Sequence, residues 1–350
     1  MLGICFAVFV LGMGQYTFGQ DPASSTAPTP VATDAEPAET AEPEEAPEEP
    51  AWPLTAETVR SEGGMLWTVV AAILVFWTQA GFALVEAGFT RGKNAANIMM
   101  KNMADMCFGG LAFWLIGYGL MFGSTSNGLF GTSDFLFTGM SDGAISQGGM
   151  SFWVFQVVFC ATAATIVSGA MAGRTNFPAY LIATVAITEF IYPIYGKWAW
   201  GGLAGNAGWL ENFSVDGAAF IDFDGSTVMH SIGGWCALAG AICVGPRIGK
   251  FGKDGKPKLI PGHNLVYGTI GTFILWMGWF GFNAGSTTSV EDGAFSHIAV
   301  TTMLSACAGG AVGMIASKCM FGKWDLALTC NGILGGLVGI TAPCANVSPL

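Results

Sequence analysis

The sequence predicts an all-α, polytopic membrane protein, and three observations carry that prediction. Only 11% of the 350 residues are charged and 52% are hydrophobic, against roughly 25% charged in soluble domains. Eight long apolar runs follow one another from residue 65 onward. Lysine and arginine gather in alternate connections between those runs, as in proteins threaded repeatedly through a bilayer.

The chain opens with an apolar stretch, residues 2–14, too short to span a bilayer comfortably. Thr17-Phe18-Gly19 follows as a small-residue cleavage site. Residues 1–20 therefore read as a signal peptide, although their start carries no Lys or Arg. Residues 21–63 read as a disordered acidic linker rich in Pro and Ala. From Asp21 to about Pro53 the chain is dominated by Ala, Pro, Thr and Glu, a composition that cannot bury enough apolar surface to offset its ordering entropy. Nine of the 24 acids lie between Asp21 and Glu49. The net charge of −11 thus says little about the body of the chain, but it excludes a basic nucleic-acid surface.

A membrane domain is expected over residues 64–350. Its apolar runs lie near 65–90, 98–122, 150–172, 178–198, 226–245, 264–285, 294–317 and 325–345. At about 1.5 Å per residue, each is long enough to cross a hydrocarbon core of roughly 30 Å. Pro193 and Gly196 interrupt the fourth, so a buried re-entrant piece is an alternative there. Arg91 and Lys93, then Arg174, then Arg247 to Lys258, then Lys318 and Lys323 occupy every second connection. The intervening connections, 123–149, 199–225 and 286–293, hold neither Lys nor Arg. The positive-inside bias then predicts eight spans with the amino terminus outside. Glycine pairs such as Gly233-Gly234, Gly309-Gly310 and Gly335-Gly336 suit close helix–helix approach. Six of the nine cysteines, among them Cys160 and Cys330, sit in apolar runs without metal-ligand spacing and read as free buried thiols.

Ionisable groups inside a span are costly, which makes each a candidate for function. His230 lies six residues beyond Asp224, about 9 Å along a helix that starts there. At that depth desolvation favours the neutral imidazole, which can both donate and accept a hydrogen bond. A histidine satisfied by a neighbouring carbonyl is an equal reading. Asp222 suits the dipole of a helix start and the capping of its amides at least as well as it suits contact with a cation. Trp198, Trp200 and Phe159 fall toward the outer ends of their spans, and Phe280, Phe282 and Ser286 close the sixth. Aromatic faces attract a desolvating cation by roughly 0.5–2 kcal/mol each, yet Trp and Tyr also belt the interfaces of most membrane proteins. Glu86, Lys101, Asp105 and Glu189 are the other charges in or near spans, where local pairing explains them as well as transport does. His263 and His297 are given no chemical role.

Three stretches carry a family resemblance: Gly81-Phe-Ala-Leu-Val-Glu-Ala-Gly-Phe-Thr-Arg-Gly-Lys-Asn94, Asp222-Phe-Asp-Gly-Ser-Thr-Val-Met-His230 and Gly278-Trp-Phe-Gly-Phe-Asn-Ala-Gly-Ser286. With Pro261-Gly-His-Asn264 and the run from Asn331 to Thr341, they resemble the ammonium transporter, methylammonium permease and Rhesus family over about residues 64–345. The resemblance implies an inverted-repeat bundle of eleven spans assembled as a homotrimer. It implies that Trp200, Phe159 and Ser286 line an outer recruitment site, that Phe159 and Phe282 stack as a gate, that Asp222 supports the mouth, and that His230 is the first of two pore histidines. Against that pattern the chain ends about three spans short, before a second pore histidine, and it carries Gly173 where many members have an acid.

The expected function is transport of ammonium or ammonia across the plasma (inner) membrane: the cation is recruited at the aromatic site, deprotonated, and passed on through an apolar pore. An ammonium sensor using the same site is the alternative. A membrane enzyme built on His230 and Asp222 would need a second convergent acid–base pair or a metal set, so no enzymatic role, metal or cofactor is expected. The implied partners are ammonium or ammonia, the lipid bilayer, further copies of the chain and a cytoplasmic regulatory protein, with no nucleic acid.

Overall fold

The computed structural model describes residues 55–140 and 147–349; the expected signal peptide and residues 21–54 of the expected linker lie outside the described residues. Among the described residues seven helices are long and apolar enough to cross a membrane: α1 Ala56–Phe89, α2 Gly92–Phe122, α3 Gly149–Met171, α4 Phe177–Ala204, α5 Ser226–Val244, α6 Leu265–Thr287 and α7 Ala294–Phe321. An eighth, α8 Leu326–Thr341, is apolar but has 16 residues, about 24 Å at the helical rise. It stops short of the run expected to reach residue 345, because Pro343 two residues on removes a backbone donor. A hairpin of β1 Ser214–Val215 and β2 Ala218–Ala219 decorates the α4–α5 connection.

α1 begins inside the stretch expected to be linker. The hydroxyl of Thr55 accepts the amide of Thr58 at 3.1 Å, and Glu57 stands in the first turn; together they cap the amides and complement the dipole of a helix start.

Two sets of hydrogen bonds organise the ends of the bundle. At one end the His263 amide donates to Thr90 O at 2.9 Å, Arg247 donates to Gly169 O and Ala172 O at 2.9 Å each, and Arg174 donates to Gly245 O. The connections α1–α2, α3–α4 and α5–α6, with their basic residues, therefore meet at one end. Each arginine also satisfies carbonyls at the close of a neighbouring helix, α3 for Arg247 and α5 for Arg174. At the other end Trp209 N donates to Gly128 O and Phe223 N to Ala342 O, both at 3.2 Å, while Arg60 of α1 pairs with Glu291 at 3.5 Å. That end gathers the start of α1, the close of α8 and the connections free of basic clusters.

α3 runs through the middle. Its Phe155, Phe159, Cys160, Ala163 and Ala164 pack in one cluster with Ala71 and Val75 of α1, Tyr192 of α4, and Leu275, Trp279 and Phe282 of α6. Outward-facing side chains such as Trp235, Ile242 and Val312 stay exposed, a surface suited to lipid rather than water. α7 and α8 cross backbone to backbone: a Cβ on Gly309 would collide with the carbonyl oxygen of Gly332, the close approach that small residues permit.

α4 is continuous rather than re-entrant. The ring of Pro193 would clash with the carbonyl four residues back in a regular helix, and a π-helical turn over Ile187–Ile191 opens that segment. A matching wide turn, Phe113–Gly117, lies opposite on α2, where a Cβ on Gly117 would reach 2.6 Å from Thr188 O. The third such turn, Ser226–Ser231, begins α5. Wide turns of this kind are frequent at functional sites.

Candidate functional site

The site grows from the start of α5. Asp222 is buried and its carboxylate is fully engaged: Oδ1 accepts the amides of Gly225 at 2.8 Å and Ser226 at 3.0 Å, and Oδ2 accepts the amides of Thr227 at 2.8 Å and Val228 at 2.9 Å. Oδ2 also accepts the Thr227 hydroxyl at 2.5 Å. Four amides of a helix start have no partner within the helix, and this one side chain supplies them. Gly225 makes the turn at φ +102°, where a Cβ would lie 3.1 Å from the Trp200 ring, so backbone geometry and ring contact both require glycine there.

Trp200 ends the regular part of α4, and its indole N–H donates to the Asp222 carbonyl at 2.6 Å. Its neighbour Lys197 is fully buried; the ammonium donates to Gly123 O at 2.8 Å and Asn206 O at 2.7 Å, tying the close of α2 to the loop after α4. Trp198 points away, donating to Leu129 O at 2.8 Å and packing on Trp209.

From Trp200 a ladder of rings descends. Phe159 of α3 lies 5.9 Å from Trp200 between centroids, and Phe282 of α6 lies 4.9 Å from Phe159. Both phenylalanines are essentially inaccessible, at 1% and 0% exposure. Their planes meet at 87°, so the two rings expected to stack meet edge to face, an arrangement the ring quadrupole favours. Phe282 is followed by His230 at 6.4 Å, and His230 stacks on Trp279 at 5.2 Å and 27°. Trp279 is in turn fixed by its indole N–H, which donates to the Thr341 hydroxyl of α8 at 2.9 Å.

The imidazole is oriented by a carbonyl. His230 Nδ1 lies 3.0 Å from Gly225 O, so Nδ1 carries the proton and a neutral ring presents a bare Nε2. Nε2 is buried without a hydrogen-bond partner among the described residues. The reading of a histidine satisfied by a neighbouring carbonyl thus describes Nδ1 alone.

Ser286 sits where α6 closes, and its hydroxyl donates to Asp224 Oδ1 at 2.7 Å. Asp224 is fully buried, and its Oδ2 has no hydrogen-bond partner among the described residues. Burial pushes this carboxyl well above the usual carboxylate range, the Ser286 hydrogen bond opposes that rise, and the nearby Asp222 adds to it. Sequence reasoning missed Asp224 and Trp279. The signal for Trp279 is its place three residues before Phe282 on one helix face; for Asp224 it is a second carboxyl beside Asp222 at the start of a span.

Glu86, Lys101 and Asp105 have neighbours of their own. Asp105 of α2 accepts the Tyr180 and Thr184 hydroxyls of α4 at 2.7 Å each, Lys101 lies over the Tyr180 ring at 4.7 Å, and Asn102 donates to Glu86 at 3.4 Å. His263 and His297 bond to Thr90 O at 3.1 Å and Val347 O at 2.9 Å. Among the described residues no group of three or more His, Cys, Asp or Glu side chains converges as metal ligands would.

Comparison with known proteins adds to this geometry. A family model described as the Ammonium Transporter Family matches residues 66–350. The chain is 47% identical over 306 residues to the ammonium transporter Amt2 of Archaeoglobus fulgidus, covering 85% of this chain and 64% of that relative. It is 44% identical over 291 residues to a putative ammonium transporter of Synechocystis, covering 81% and 63%. Among solved structures, one described as a sensor Amt protein superposes with a TM-score of 0.79 at 40% identity, covering 84% of this chain and 71% of that one. Candida albicans Mep2 superposes with a TM-score of 0.70 at 29% identity, covering 81% and 61%. The chain thus spans a little under two thirds of the length of the curated relatives named here.

Proposed function

Because the chain belongs to the Ammonium Transporter Family, we propose that this integral membrane protein recruits ammonium at the Trp200 end of the bundle and conducts it as ammonia past His230. The observation that carries this reading is the unbroken ladder Trp200, Phe159, Phe282, His230, which ends on an unpartnered acceptor nitrogen.

The chemistry follows from solvation. A cation leaving water is offered the faces of Trp200 and Phe159 and the hydroxyl lone pairs of Ser286. Below them the Phe159–Phe282 pair presents hydrocarbon without hydrogen-bond acceptors, where an unpaired charge is far more costly than a neutral amine. The proton is therefore released to water on the Trp200 side, and the neutral molecule passes on to His230, whose Nε2 accepts one of its N–H groups. Asp222 acts through the backbone, holding the start of α5 so that Trp200 and His230 keep their places.

The positive-inside bias assigns the basic end to the cytoplasm and the Trp200 end to the outside of the plasma (inner) membrane. The assembly is a homotrimer, and a cytoplasmic regulatory protein would meet the basic end. A second reading, an ammonium sensor using the same site, is favoured by the likeness to a protein described as a sensor Amt; measurable flux separates the two.

The test is His230→Ala in the full-length protein reconstituted into liposomes. Flux of ammonium or methylammonium is expected to fall by roughly five- to a hundredfold or to change its charge selectivity, since an unreplaced acceptor in a dry passage is worth about 1–3 kcal/mol. Transport with unchanged rate and current would remove the ladder as the route.

A further inference from the structure

Asp224 has no part in the route just described, yet it is the one fully buried carboxylate beside Ser286. Buried acids with an unsatisfied oxygen are costly, so its place calls for a reason. α8 supports that place from behind: Phe223 N donates to Ala342 O at 3.2 Å, and the Ser226 hydroxyl donates to Val338 O at 2.9 Å while accepting the Ala342 amide at 2.8 Å. The residues on both sides of Asp224 are thus clamped.

A serine hydroxyl has one proton and two lone pairs. The proton can rotate, and a hydroxyl free to point it at the mouth would repel an N–H donor. In this structure the proton is taken by Asp224 Oδ1 at 2.7 Å, which leaves both lone pairs of Ser286 for an incoming donor. We infer that Asp224 is a positioning residue that fixes the Ser286 hydroxyl as an acceptor, and so sets the affinity of the recruitment site for ammonium and protonated small amines. The inference rests on the transport reading above, but Asp222 plays no part in it: that carboxylate has spent its oxygens on the amides of α5.

The required property of Asp224 is an acceptor atom at Oδ1. Asparagine can supply one, whereas alanine and the near-isosteric leucine cannot. The test is methylammonium uptake by the full-length protein in cells, with surface amount and size-exclusion profile measured for each variant. Asp224→Ala and Asp224→Leu are expected to raise the apparent KM about tenfold with Vmax per molecule preserved, the size expected for one oriented hydrogen bond to a cation. Asp224→Asn should stay within about twofold of the unmutated protein. Ser286→Ala should match Asp224→Ala, and the double variant should be no worse than either, the non-additivity of residues acting through one contact.

If Asp224→Ala fails to reach the membrane, the leucine variant decides. An unchanged KM in Ala and Leu variants, a loss confined to Vmax, an asparagine variant as weak as alanine, or independent losses in the double variant would each overturn the inference while leaving the transport reading intact. Absence of saturable uptake by the unmutated protein would overturn both.

Discussion

Phe159 and Phe282 touch edge to face, with centroids 4.9 Å apart and planes at 87°, although they come from helices far apart in the chain. The contact closes the ladder between Trp200 and His230 with hydrocarbon on both sides.

That geometry predicts unequal effects at the two rings. Phe282 contacts Phe159, His230 and Trp279, so Phe282→Ala should lower methylammonium uptake at least tenfold. Phe159 is also backed by Phe155 at 4.8 Å, so Phe159→Leu, which keeps an apolar plug, should retain measurable transport. Equal uptake by Phe282→Ala and the unmutated protein would remove the gate assignment.

Asp222 should behave as a folding residue more than a binding one. Asp222→Ala strips four backbone amides at the start of α5 of their acceptor, at a cost of about 3 kcal/mol or more given about 1–3 kcal/mol for each unsatisfied buried donor. Reduced yield of folded protein in detergent is expected, with Asp222→Asn intermediate. A fully stable Asp222→Ala protein with altered KM would instead make the carboxylate a direct ligand.

The arrangement of the ends predicts sidedness. Lysines 250, 253, 256 and 258 share the end formed by the α1–α2, α3–α4 and α5–α6 connections. An impermeant amine-reactive label should reach them in inverted vesicles and not in intact cells. Labelling from outside would reverse the orientation.

Much of this architecture was legible beforehand because it depends on local properties. Run length reports a span, and a lysine or arginine reports which side of the bilayer resists its crossing, so the helices and the gathering of basic connections at one end could be read without any contact. Contacts were another matter. The partnership of Ser286 with Asp224 and of Trp279 with Thr341 joins residues 62 apart, and no periodicity encodes which side chains meet. The edge-on Phe pair is invisible for the same reason. The start of α1 was misplaced because composition marked the end of the linker, while the cap that starts the helix is a single threonine, Thr55.

The wide turn over Ser226–Ser231 has a consequence for how the histidine is aimed. An α-helix advances about 100° per residue, and a turn closed by i→i+5 bonds holds roughly one residue more than a regular one. His230 lies inside this turn, so its azimuth depends on where the extra residue falls. Loss of one residue from this segment would rotate the imidazole off the column of rings without altering any side chain that touches it, so the length of the turn aims the ring as much as its composition does.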